Sequence, residues 1–169
     1  SEQLNQKQNQ ILEIFKHLGG IKLNFKSTIK SSPRKYQYRN KMEFSFSNQR
    51  WIVEEGEMKK SLDFALGLHP SKRYDKVVDI DQCEIQSKEG NTILNIVRSF
   101  CKRNNLEPYN IKEHKGFLRQ LVIKHATYSN QIMINIVTAH NHPKLLFPLV
   151  KELLNEIKII KTIVNTIND

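Results

Sequence analysis

The chain is short of several things, and each shortage closes a class of explanation. It has two cysteines, Cys83 and Cys101. They form no CxxC pair and no zinc spacing, so the sequence offers neither a zinc site nor a disulfide framework. A reducing, cytosolic compartment is the simplest fit. No continuous apolar run approaches the roughly 20 residues of a membrane span. The N-terminal stretch Ser1-Glu2-Gln3-Leu4-Asn5-Gln6-Lys7-Gln8 is polar and carries no apolar signal-peptide core. Glycine is scarce at 6 residues, and Gly19-Gly20 follows a helical stretch instead of joining a strand to a helix. No dinucleotide or S-adenosylmethionine turn is therefore legible. No Ser/His/Asp constellation stands out among the scattered histidines. Negative charge is also in deficit. Against 27 Lys and Arg stand 17 Asp and Glu, a net charge of +10. That surplus favours a polyanionic partner, nucleic acid ahead of membrane.

What is present suits one folded domain. At 169 residues and 38% hydrophobic, the chain is long enough for a real core. Leu4 to Leu18 reads as a helix ended by Gly19-Gly20. A polar, proline-containing loop follows through Lys35. Tyr38 to Ser47 alternates as a strand, with Tyr38, Met42, Phe44 and Phe46 on one side and Arg39, Lys41, Glu43 and Ser45 on the other. Trp51 to Val53 and Ser61 to Leu68 read as further strands around a turn at Glu54 to Glu57, with Leu62, Phe64, Leu66 and Leu68 sharing a face. Lys76 to Ile80 is a short strand. Ser87 is an N-cap candidate for a helix from Lys88 to Asn104, whose stripe is Ile93, Leu94, Val97, Phe100 and Cys101. Phe117 to His125 and Gln131 to Thr138 form a hairpin. Pro143 opens a last helix burying Leu145, Leu146, Leu149, Val150, Leu153, Leu154 and Ile157. Ile160 to Ile167 closes as a strand. The order predicts an α+β fold, an antiparallel or mixed sheet covered by helices on one face. A chain stopping on a strand suggests a polypeptide that continues.

Candidate binding residues follow from the strand phases. Arg39 and Lys41, at i and i+2, lie on one face at a spacing suited to adjacent phosphates. Arg34, Lys35 and Arg50 are near in sequence and would widen the patch, and Tyr36 and Tyr38 would offer rings for stacking. The plain alternative is an ordinary solvated sheet face. Arg119 falls in phase with Phe117, Leu121 and Ile123, so it needs a partner. That partner is either a core carboxylate or an RNA phosphate at the sheet edge. Cys83 reads as a small buried residue and Cys101 as core. His140-Asn141-His142-Pro143 reads as a loop entering a helix. Asp79 and Asp81 share a strand face with nothing nearby that suggests acid–base work.

Five motifs occur in order: Tyr38-Arg39-Asn40-Lys41-Met42-Glu43-Phe44, Gly67-Leu68-His69, Val77-Val78-Asp79-Ile80-Asp81-Gln82-Cys83, Gly116-Phe117-Leu118-Arg119-Gln120-Leu121-Val122-Ile123-Lys124, and Met133-Ile134-Asn135-Ile136-Val137-Thr138. Together they resemble the RNA uracil-5-methyltransferase family, which makes 5-methyluridine in ribosomal or transfer RNA. The resemblance covers nearly the whole chain and implies a single central domain over residues 1–169. It also implies a partner domain in cis, Rossmann-like, that binds S-adenosylmethionine and carries the catalytic cysteine and glutamate. Neither of those motifs occurs here, so no catalytic residue is assigned and the segment alone is expected to be inactive. The resemblance implies RNA contacts from Arg39 and Lys41, with Arg119, Arg34 and Lys35 as further candidates, and ribosomal RNA as the substrate ahead of transfer RNA. Some members hold a 4Fe-4S cluster, and Cys83 matches their downstream fourth ligand; the accompanying triplet would precede residue 1. The alternative is a stand-alone basic RNA-binding module without catalysis.

Overall fold

The structure is a computed structural model that describes residues 1–24, 28–73 and 75–168. The chain forms two compact units, Ser1–Lys35 and Tyr36–Asp169. The first holds one helix, α1 (Glu2–His17). Gln8 accepts the Ile29 amide through Oε1 at 3.0 Å, tying the following loop back onto that helix.

The second unit is an eight-stranded sheet with two helices. Its strands are β1 (Lys41–Ser47), β2 (Arg50–Glu54), β3 (Glu57–Ser61), β4 (Ala65–Leu68), β5 (Val77–Asp79), β6 (Leu118–Ala126), β7 (Gln131–Thr138) and β8 (Ile160–Ile167). The helices are α2 (Lys88–Arg103) and α3 (Pro143–Glu156). The sheet order is β3-β2-β5-β4-β1-β6-β7-β8. β2 runs parallel to β5 and β7 parallel to β8, while the other pairs are antiparallel, so the sheet is mixed. This agrees with the α+β expectation.

Burial follows the strand phases. On β1, Met42, Phe44 and Phe46 are buried and face Ile123 and Leu121 of β6. Ile134 and Ile136 of β7 continue that layer. α2 lays Ile93, Leu94, Val97, Phe100 and Cys101 against it, as its period predicts. Ser87 caps α2, its Oγ accepting the Gly90 amide at 3.1 Å. Glu89 in the first turn and Lys102 and Arg103 in the last complement the helix dipole. α3 buries Leu146, Leu149 and Leu153.

Several sequence expectations are corrected. Tyr38 does not share the buried face of β1; it is 55% exposed. The backbone from Gln37 to Arg39 turns away from β6 because its amides find other acceptors. Gln37 donates to Glu84 at 3.0 Å and Arg39 to Ile85 at 2.9 Å, with Gln37 at φ 53°. The stretch Ser61 to Leu68 is two strands, not one, and Leu62 between them is 83% exposed. Glu57 to Ser61 instead pairs back onto β2. On α3, Leu145 and Leu154 are exposed, because its buried stripe is narrower than its apolar composition.

Gly67 is needed where β4 meets β5. A Cβ there would stand 1.8 Å from the Val78 carbonyl oxygen. One element binds this corner to α2. Arg98, buried on the helix, donates to the carbonyls of Leu66 (2.8 Å) and Ile80, and its Nε lies 3.3 Å from Asp79 Oδ1. Asp79 also accepts from Arg50 Nε at 2.8 Å and from the Leu66 amide at 3.0 Å.

Candidate nucleic-acid interface

α2 and α3 cover one face of the sheet. The other face presents Lys41, Glu43 and Ser45 from β1, paired with Lys124, Val122 and Gln120 of β6. Lys41 thus stands directly opposite Lys124, and both are exposed. Like charges facing each other across strands weaken a sheet. Here Glu43 offsets the pair, with its Oε1 2.5 Å from Lys41 Nζ. Lys41, Glu43, Val122 and Lys124, with Met133 and Asn135 of β7, line a shallow depression on the open face. Lys124 was not singled out from the sequence. Its position across from Lys41 is a matter of register, which one strand alone does not reveal.

Arg39 lies at the same corner and is exposed. Its Nε donates to the Lys41 carbonyl at 3.2 Å, which steers the guanidinium along the strand end. Tyr36 and Tyr38, 63% and 55% exposed, are free to stack. Arg34 and Lys35 belong to the first unit, where Ser32 Oγ accepts the Arg34 amide and donates to the Arg34 carbonyl. Arg50 does not widen the patch, because its guanidinium is committed to Asp79 at 2.8 Å.

Arg119 sits elsewhere, and its expected face is corrected. Leu118 and Leu121, which regular alternation would put on opposite faces, are both fully buried. The ladder shifts there, from Leu118 opposite Thr138 to Gln120 opposite Val137, and Arg119 is the bulged residue. Neither a core carboxylate nor the apolar face receives it. Its Nη1 donates to the Asn168 carbonyl at 2.6 Å, and the guanidinium lies 4.4 Å from the centre of the Tyr109 ring. Along β6 it stands five rises from Lys124, roughly 16 Å. The structure brings Arg39, Lys41 and Lys124 together and leaves Arg119 at the opposite end of the strand.

The two aspartates also part. The Asp79 side chain is 2% exposed inside the arginine network, whereas that of Asp81 is 85% exposed. Of the cysteines, Cys101 is fully buried on α2, and burial pushes its thiol up to about 12. Cys83 is half-buried in the loop before α2, its amide bound to Asn91 Oδ1 at 2.9 Å. A cubane cluster needs about four thiolates. Among the described residues no group of three or more His, Cys, Asp or Glu is placed to hold a metal. With Cys101 sealed in the core, this stretch contributes one thiol and does not by itself fit a cluster.

No protein-family model matches the chain. Curated relatives do. A Chlorobaculum tepidum protein named an uncharacterized RNA methyltransferase is 35% identical over 154 residues, 89% of this chain and 32% of the relative. A Clostridium acetobutylicum protein of the same description is 30% identical over 170 residues, 99% of this chain and 35% of the relative. One from Clostridium tetani is 34% identical over 81% of this chain and 28% of its own length. The chain thus spans about a third of the length of these relatives. Among solved structures, the Pyrococcus abyssi tRNA (uracil-54, C5)-methyltransferase bound to S-adenosyl-L-homocysteine matches 99% of this chain and 35% of its own. The TM-score is 0.65 at 21% identity, which establishes a shared fold.

Proposed function

This chain belongs to the RNA methyltransferase family, and from that premise we propose that it is the central, RNA-binding domain of an S-adenosylmethionine-dependent uracil-C5 methyltransferase. The observation that carries the proposal is the corner of the open sheet face where Lys41 and Lys124 stand opposite each other, with Arg39 hydrogen-bonded to the Lys41 carbonyl. Cations there bind the phosphates of a single strand without reading its sequence. Exposed Tyr36 and Tyr38 add stacking surfaces.

On this reading the domain holds the RNA while the rest of the enzyme performs the chemistry. Carbon 5 of uracil is out of reach inside a stack, so the base is turned out before it reacts. A rigid sheet that grips the flanking phosphates makes that extrusion directional. The methyl donor and the nucleophile lie in the remainder of the enzyme. Cys83 would be one ligand of a 4Fe-4S cluster only if the other thiolates came from outside this segment. Ribosomal RNA is the substrate favoured by the sequence reading, and transfer RNA is the second arm of the test.

The test is made on the full-length protein and on this segment. Full-length protein is expected to convert uridine to 5-methyluridine in one of the two RNAs, read by mass spectrometry of nucleoside digests. The segment is expected to bind the same RNA and transfer nothing. Arg39→Ala and Lys41→Ala are each expected to weaken binding several-fold. Methylation at another atom, or affinity untouched by both substitutions, would overturn the proposal.

A further inference from the structure

A second site lies at the end of the sheet remote from Arg39 and Lys41. Three rings meet there. Phe117 and His140 have centroids 5.2 Å apart, His140 and His142 5.0 Å apart at 83°, and Phe117 and His142 6.2 Å apart. Phe117 is 6% exposed and forms a floor, while both histidines are exposed. They border a cavity of about 320 Å³ whose other walls include Asn105, Glu107 and Leu145. Among the described residues, neither the Glu107 carboxylate nor the Asn105 carboxamide has a partner.

The walls are held by backbone. The amides of Phe117 and Leu118 donate to the Glu107 carbonyl at 2.8 and 2.9 Å, and the Ala139 amide donates to the Phe117 carbonyl at 2.8 Å. Thr138 Oγ1 donates to the His140 carbonyl at 3.0 Å. Gly116, at φ 109°, passes so close to the Pro108 carbonyl that a Cβ would stand 2.3 Å from its oxygen. The three segments are therefore set before any ligand arrives.

We propose that this cavity binds a guanine base from a single-stranded stretch of RNA, separately from the uridine that reacts. Imidazole rings over an apolar floor stack on any base. The carboxylate supplies the choice. It only accepts, and guanine alone carries two adjacent donors, N1–H and N2–H, on its Watson–Crick edge. Adenine and cytosine set a donor beside an acceptor, and uracil sets one donor between two acceptors. Asn105, in the same wall, offers a carboxamide that can donate to guanine O6.

The inference rests on the RNA reading above, and the experiment separates the two. GMP, AMP, UMP and CMP are titrated into the isotopically labelled chain, and amide shifts are followed by NMR. GMP is expected to move the amides of residues 105–107, 116–117 and 140–142. It should saturate at a concentration on the order of tenfold below the others. Glu107→Gln, an exposed position, is expected to erase that preference. His142→Ala is expected to weaken all four by a similar factor, on the order of tenfold. Equal response to all four nucleotides, shifts elsewhere, or the same shifts with inorganic phosphate would overturn the guanine site. RNA binding with no GMP response would sink this inference alone. An absence of RNA binding at low salt would sink the RNA-binding reading and this inference with it.

Discussion

At Asp79 one carboxylate receives two guanidinium groups and a backbone amide while its side chain is 2% exposed. Removing it leaves the buried Arg98 with the exposed Asp81 carboxylate, 3.5 Å away, in place of the buried one. Asp79→Ala is expected to cost about 3–5 kcal/mol in urea unfolding. Asp81→Ala, with a side chain 85% exposed and 3.5 Å from Arg98, should stay within about 1 kcal/mol. The cysteines give a second residue-scale test. Burial holds the Cys101 thiol protonated to about 12, against 9.0 for the free group. Above pH 9 the unfolded chain releases a proton that the folded chain keeps, so stability falls as pH rises from about 9 to about 12. The loss from this group is expected to be on the order of 1 kcal/mol at pH 10, and Cys101→Val should remove it from the urea titration. In the folded protein a thiol reagent at pH 8 is expected to modify Cys83 and spare Cys101.

At the scale of elements, the close crossing of β4 and β5 is the most exacting contact. Gly67→Ala puts a methyl group against the Val78 carbonyl, so the two strands must separate. The expected cost is about 1–3 kcal/mol, with hydrogen exchange rising at Leu68 and Asp79 before the rest of the sheet. The bulge at Arg119 is the other decision made by an element. It keeps Leu118 and Leu121 both in the core and turns the arginine toward Tyr109 and Asn168. Pairing with β7, not the alternation of β6 itself, sets that direction.

Over the whole molecule, a net charge of +10 makes nucleic-acid affinity depend on salt. Log affinity for single-stranded RNA is expected to fall linearly with log salt. Arg39→Ala and Lys41→Ala together should flatten that slope by about 1.4, roughly 0.7 for each lost phosphate contact. An unchanged slope would remove both residues from the interface. Every residue of the core cluster lies between Met42 and Ile160. A chain beginning at Tyr36 is therefore expected to unfold cooperatively on heating, followed by near-UV circular dichroism.

The amino-acid sequence by itself determined the elements whose period is strong: the stripe of α2, the alternation of β1 from Met42 to Phe46, the β6–β7 hairpin and the cap at Ser87. Each of these is a local pattern, set by side-chain spacing along one segment. The sequence also carried the basic charge and the motifs through which the family resemblance was seen. Only the tertiary structure decided what faces what. Lys124 joined Lys41 through strand register, Arg50 was drawn to Asp79, and Tyr38 turned away from β6 because Glu84 and Ile85 captured the backbone around it. Glu107, Phe117, His140 and His142 came to one cavity from three separate segments. Such meetings depend on long-range pairing and on the competition of buried polar groups for partners, and no window along the chain contains that information.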